Sequence, residues 1–76
     1  MKNVNLTITS FRDGKEVTNF DVSNTQKQSD GTIKADLWCT HGCWHAKAVF
    51  NENKTVDVKI KTTGRKLTYH SYEVVS

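Results

Sequence analysis

Apolar and polar residues alternate in several separate stretches of this chain. The period is two, as expected of strands half-buried in a sheet. Val4, Leu6 and Ile8 alternate with Asn5, Thr7 and Thr9. The tripeptide Arg12-Asp13-Gly14 predicts a turn, and the return strand carries Phe20 and Val22. That loop pairs Leu6 with Phe20 and Val4 with Val22, apolar against apolar. Residues 24–31, NTQKQSDG, are polar and read as the one real loop.

Residues 32–50, TIKADLWCTHGCWHAKAVF, organise the rest. On the first arm Ile33, Ala35, Leu37 and Cys39 alternate with Lys34, Asp36, Trp38 and Thr40. On the second, Trp44, Ala46, Ala48 and Phe50 alternate with Cys43, His45, Lys47 and Val49. A two-residue turn at His41-Gly42, with Gly42 supplying positive φ, pairs Ile33 with Phe50, Ala35 with Ala48, Leu37 with Ala46 and Cys39 with Trp44 on an apolar face. The opposite face then matches Asp36 with Lys47 and Trp38 with His45. A helix would align Leu37, His41, Trp44 and Ala48, but Gly42 in the middle, Thr40 near it and the lack of a cap argue against one.

Beyond this hairpin, residues 51–54 turn the chain into a strand over residues 55–61. There Val56, Val58 and Ile60 point inward and Asp57, Lys59 and Lys61 outward. Residues 62–66 turn around Gly64, and residues 67–75 form the last strand, with Leu67 and Tyr69 inward and Thr68, His70 and Tyr72 outward. The pattern predicts one all-β domain over residues 1–76, a small antiparallel meander of about six strands. A flat sheet would leave its apolar face wet, so it curls into a barrel, folds over itself or forms a homodimer.

Composition narrows this picture. At 76 residues the core is small, and a 36% apolar fraction that includes two Trp, two Tyr and three Phe favours a folded domain over disorder. No apolar run is long enough for a membrane span, and the opening MKNVNLTITS lacks the apolar core of a leader. The expectation is a cytoplasmic protein with reduced thiols and no membrane partner. The net charge of +3 favours anionic partners only weakly.

Two groups of residues invite chemistry. In Cys39-x-His41-x-Cys43-x-His45, Cys and His are zinc's preferred donors, but structural sites draw pairs from two separated knuckles and this chain has no second Cys pair. The hairpin also sends Cys39 into the core and Cys43 away from it, which separates the thiols and leaves only Cys43 reactive. No metal or other cofactor is therefore expected. A cysteine enzyme would need a base beside Cys43; His45 is close in sequence, and Asp57 could orient His70 across the last hairpin, yet a surface ion pair explains that equally well. No phosphate loop or nucleophile elbow is present, so no catalytic residue is assigned and the chain is not expected to be an enzyme.

The outward face is the stronger candidate. Lys34, Trp38, His45, Lys47, Lys59 and Lys61 project from neighbouring strands, Arg65 and Lys66 extend the charge in the turn, and Tyr72 follows on the next strand. A solvated face explains any single lysine. The lysines set opposite one another and the outward Trp38 suggest a binding module with an inhibitor's or adaptor's role. Its partner would be a protein with an acidic surface, steered by the lysines and anchored by Trp38. Single-stranded nucleic acid is the alternative partner, with aromatic residues stacking on bases. A Cys/His metal-binding domain is the third reading.

Overall fold

The computed structural model describes residues 2–9, 14 and 16–75. Among these residues the chain is all-β. Its strands are β1 (Asn3–Thr9), β2 (Glu16–Lys27), β3 (Ile33–Cys39), β4 (Trp44–Phe50), β5 (Val56–Ile60), β6 (Lys66–Tyr69) and β7 (Glu73–Val74). They form one antiparallel sheet in the order β6-β5-β4-β3-β2-β1-β7. Residues 70–72 alone connect the two outermost strands. The four residue steps from Tyr69 to Glu73 reach about 13–14 Å, so the edges must approach each other and the sheet curls into a half-barrel.

Most of the inward positions read from the alternation form the core, while Val22, Ile33, Leu67 and Tyr69 are partly buried against it and Cys39 and Trp44 do not belong to it. Val4, Leu6, Ile8, Phe20, Ala35, Leu37, Ala46, Ala48, Phe50, Val56, Val58 and Ile60 are all buried on the concave face. Burying each large side chain contributes about 1.5–3 kcal/mol. At the centre Ala35 faces Ala48 and Leu37 faces Ala46. Tyr69 and Tyr72 pack against this cluster from the connecting end, the Tyr72 ring standing edge-on to Phe50 at 5.2 Å. The expectation that Tyr72 faces outward is thus corrected.

Register departs from expectation at four places. In the first hairpin Val4 faces Phe20 and Ile8 faces Val17, with a bulge between Asn5 and Ile8. Leu6–Phe20 and Val4–Val22 are therefore wrong by two residues, a slip that keeps every side chain on its face and so leaves no trace in the alternation. The expected turn residues Arg12 and Asp13 lie outside the described residues.

The polar residues 24–27 are not loop. β2 bulges between Ser23 and Gln26, with Asn24 at φ 54°, and then pairs Gln26 with Lys34 and Lys27 with Ile33. The actual turn is tight: Gln28 N–H donates to Thr32 O at 2.8 Å and Gly31 N–H to Gln28 O at 3.2 Å.

The central hairpin holds its expected register from Ile33–Phe50 to Leu37–Ala46, and then slips. Gly42 N–H donates to Cys39 O at 2.9 Å, and Cys39 N–H donates to Cys43 O at 2.8 Å. The loop therefore has three residues rather than two. Gly42 at φ 88° occupies its left-handed last position, where a side chain would be strained. The extra loop residue is absorbed as a bulge at His45, so Trp38 faces Trp44, not His45, and Cys39 does not face Trp44. The β4–β5 turn repeats the design, with Asn51 N–H to Thr55 O at 2.9 Å and Lys54 at φ 66° in the glycine position.

The expected last strand is two strands. β6 ends at Tyr69, and β7 crosses to pair with β1 through Val4–Val74 and Asn5–Glu73. No helix among the described residues is long and apolar enough to cross a membrane.

Candidate functional site: the lysine and tryptophan rows

Outward residues on successive strands line up in rows across the convex face. The first row runs Asp36, Lys47, Lys59, Lys66, each the cross-strand partner of the next. Adjacent strands lie about 4.8 Å apart, so the three lysines of this ladder fall within about 10 Å. The second row runs Gln26, Lys34, Val49, Asp57, Thr68. Both rows line a shallow trough of about 820 Å³, to which Lys34, Lys47, Lys59 and Lys66 contribute. The inward alternation of Ala46, Ala48, Val58 and Ile60 forces Lys47 and Lys59 outward.

The trough's carboxylates accept hydrogen bonds from hydroxyl and amide donors. Asp57 accepts a hydrogen bond from the Thr68 hydroxyl at 2.6 Å and another from the Asn51 amide at 3.0 Å. Those two donors, Thr68 first, hold its carboxyl below the ordinary value of 3.8. Asp36 accepts from the Asn24 amide at 2.8 Å. The positive-φ bulge in β2 carries Asn24. Asp36 and Lys47 are cross-strand neighbours as expected, yet among the described residues none of the four trough ammonium groups forms an ion pair. The expected neighbour of Asp57, His70, is not its partner; Thr68 is.

The third row is aromatic. Asn3, Asp21, Trp38 and Trp44 are successive partners across β1, β2, β3 and β4. Lys61 Nζ lies 5.4 Å from the centre of the Trp44 ring, within cation–π range. Both tryptophans are half-buried. Their indole N–H groups are shielded from solvent and find no acceptor among the described residues. The sequence pattern placed Trp44 in the core; the bulge at His45 rotates it onto the same face as Trp38.

The same bulge turns His45 the other way. Its ring is 5.2 Å from that of the fully buried Phe20, and burial pulls its pKa below the ordinary 6.5. The outward placement of His45 is thereby corrected, although its backbone carbonyl still receives the Lys61 N–H at 3.1 Å as the strand pairing implied. Arg65 is exposed in the β5–β6 turn, where its N–H donates to the Thr63 hydroxyl at 3.2 Å. Of the expected surface, Lys34, Trp38, Lys47, Lys59, Lys61 and Lys66 thus share one face, with Arg65 at its rim. Trp44, Asn24 and Asp57 belong to the site without having been singled out for it. Only a three-residue reading of the loop before Trp44 would have found that tryptophan.

Elsewhere on the convex face a cluster of amides bonds to itself. On β1 and β2, Asn3 donates to Asn19 at 2.9 Å and to Asp21 at 3.1 Å, while Asn19 donates to Asn3 at 2.7 Å and to Asn5 at 2.6 Å. Among the described residues no three His, Cys, Asp or Glu side chains converge as metal ligands. Comparison with protein-family models, curated proteins and solved structures finds no match to this chain.

Proposed function

We propose that this chain is a non-catalytic binding module that takes an acidic segment of a partner protein across its convex face. The observation that carries this reading is the ladder Lys47–Lys59–Lys66. Like charges directly opposed across a sheet destabilise it by a fraction of a kcal/mol, up to about 1 kcal/mol per pair. The nearby carboxylates are occupied by hydroxyl and amide donors, so an incoming row of carboxylates would supply the missing counter-charge. Trp38 and Trp44, next to the ladder, give such a segment an apolar anchor. A compact inhibitor or adaptor acting in the cytoplasm fits these features, and two free thiols fit a reducing compartment.

The tryptophans also favour protein over single-stranded nucleic acid. Base stacking needs open π-faces, whereas both indoles are half-buried and Trp44 is capped by Lys61. The test is titration with a glutamate-rich peptide, and with single-stranded DNA and RNA oligonucleotides, followed by tryptophan fluorescence at graded salt. The peptide should bind, with affinity falling as salt rises because exposed charges are screened. Trp38→Ala should weaken that binding by about 2 kcal/mol. Tighter binding of an oligonucleotide would make the module a nucleic-acid binder. No binding of either probe would reduce the ladder to a solvated surface.

A further inference from the structure

The three-residue loop has a second consequence, independent of the convex face. It sets Cys39 and Cys43 directly opposite each other at the mouth of the turn, joined by Cys39 N–H to Cys43 O at 2.8 Å. Opposed residues send their side chains to the same side of a hairpin. The expectation that these thiols point to opposite faces, with Cys39 shut in the core, therefore fails: Cys39 is half-buried and Cys43 exposed. Only one of the two bonds of a regular pair joins them, since Gly42 rather than Cys43 donates to Cys39 O, but residues opposed across so tight a turn still stand about 5.5 Å apart at Cα. That lies inside the range of about 4.4–6.8 Å that a disulfide spans.

We propose that Cys39 and Cys43 form a reversible redox pair, in which Cys39 is the attacking thiolate and Cys43 the resolving thiol. The turn itself prepares the attacking sulfur. The Cys43 backbone N–H donates to Cys39 Sγ at 3.4 Å. That bond, against the opposing effect of partial burial, holds the Cys39 thiol below its ordinary pKa, and the backbone of His41, the Cys43 thiol and the backbone of Gly42 add to the lowering. One loop amide thus donates directly to the sulfur, and the second thiol interacts with it. Gly42 contributes because its positive φ lets the chain fold back at that point.

The oxidant is a small disulfide of the glutathione class, RSSR. The Cys39 thiolate attacks one sulfur of RSSR, forming Cys39–S–S–R and releasing RS⁻, which takes up a proton. The Cys43 thiol loses its proton and attacks the Cys39 sulfur, breaking the mixed disulfide and releasing the second RS⁻, which is protonated in turn. Two thiols become one disulfide and RSSR becomes two RSH, so atoms and electrons balance. The ring so formed encloses only residues 39–43. Constraining so short a loop adds less to stability than closing a long one, and an exposed bond at a turn is open to reduction, as a switch requires rather than a staple.

The test is exposure of the folded protein to excess glutathione disulfide at neutral pH, followed by acid quench and intact mass measurement. The wild type should lose two hydrogens, carry no glutathione and return to the dithiol with dithiothreitol. Cys43→Ser should stall with one glutathione, mapped to Cys39, and Cys39→Ser should be modified several-fold more slowly. Competitive alkylation of the unmutated protein, read by peptide mapping, should label Cys39 ahead of Cys43 and needs no variant to fold. An unreacted or doubly glutathionylated wild type would overturn the pair. Equal alkylation rates would overturn the assignment of Cys39 as the attacking thiol.

Discussion

The two halves of the convex face belong to one sheet and treat their polar groups in opposite ways. On β1 and β2, Asn3, Asn5, Asn19 and Asp21 spend their donors and acceptors on one another. On β4, β5 and β6, Lys47, Lys59 and Lys66 face each other with their charges uncompensated by a salt bridge among the described residues. An asparagine carries both donor and acceptor, so a row of asparagines can saturate itself; a lysine carries donors alone, so a row of lysines cannot. The first half has the composition of a face that stabilises its own sheet. The second gives up stability, and its ammonium donors form no salt bridge among the described residues. Trp38 and Trp44 lie where the two halves meet.

The largest expected effect would break the idea that the halves share one core. Phe20 lies on β2 and packs across the concave side against His45 of β4. Phe20→Ala should cost about 3–5 kcal/mol, and denaturant unfolding should remain a single transition by both tryptophan fluorescence and circular dichroism. Two separated transitions would show that the halves fold independently. Next in size is Asn19→Ala, which removes two amide donations and orphans their partners. It should cost about 1–2 kcal/mol in denaturant midpoint while leaving acidic-peptide affinity unchanged; a matching loss of affinity would move the site onto β1 and β2.

Lys59→Glu sharpens the contrast, because stability and binding should move in opposite directions. Replacing the middle of the ladder with a carboxylate turns two repulsions into attractions and should stabilise the sheet by about 0.5–1 kcal/mol. The same change should weaken the acidic peptide at least tenfold, measured by fluorescence titration. A variant both less stable and equally competent to bind would refute the trade.

The smallest effects are in pH. His45 has a pKa below 6.5 in the folded chain because burial disfavours its cation. The unfolded chain therefore binds that proton first, and stability falls as pH drops below 6.5 toward the folded value. Asp57 has a folded pKa below 3.8, so the stability from its two donors is present above 3.8 and is lost as pH falls through the lower folded value. Stability from denaturant midpoints measured against pH should thus fall in two ranges, one below 6.5 and one below 3.8, and His45→Gln should remove only the first.

Much of this was legible in the sequence, for a physical reason. From Ile33–Phe50 to Leu37–Ala46 both arms alternate without interruption, and burial of one face leaves a single workable register. The lysine rows followed directly, since whatever lies between buried residues on a strand must point out. The failure beside the central turn has one cause. A bulge adds a residue without adding an apolar position, so the alternation around His45 could not say which of Trp38's neighbours would stand opposite it. Residues 24–27 misled differently: a strand pairs through its backbone, and a polar extension at the hairpin's end needs no buried side chain. The break after Tyr69 was hidden because residues 67–75 carry an acceptable strand pattern, while their division depends on where the far edge of the sheet lies.

The attachment of β7 bears on how the molecule would respond to load. Val75 N–H donates to Asn3 O at 3.0 Å, so the outer end of β1 and the outer end of β7 leave the sheet side by side. Tension applied between those two points would not shear the strands along their length, which would require several hydrogen bonds to rupture together. It would draw them apart like the teeth of a zip, one bond at a time, beginning at Asn3–Val75. The half-barrel is therefore mechanically soft in that direction, and stretched end to end it should yield at low force even where its chemical stability is ordinary.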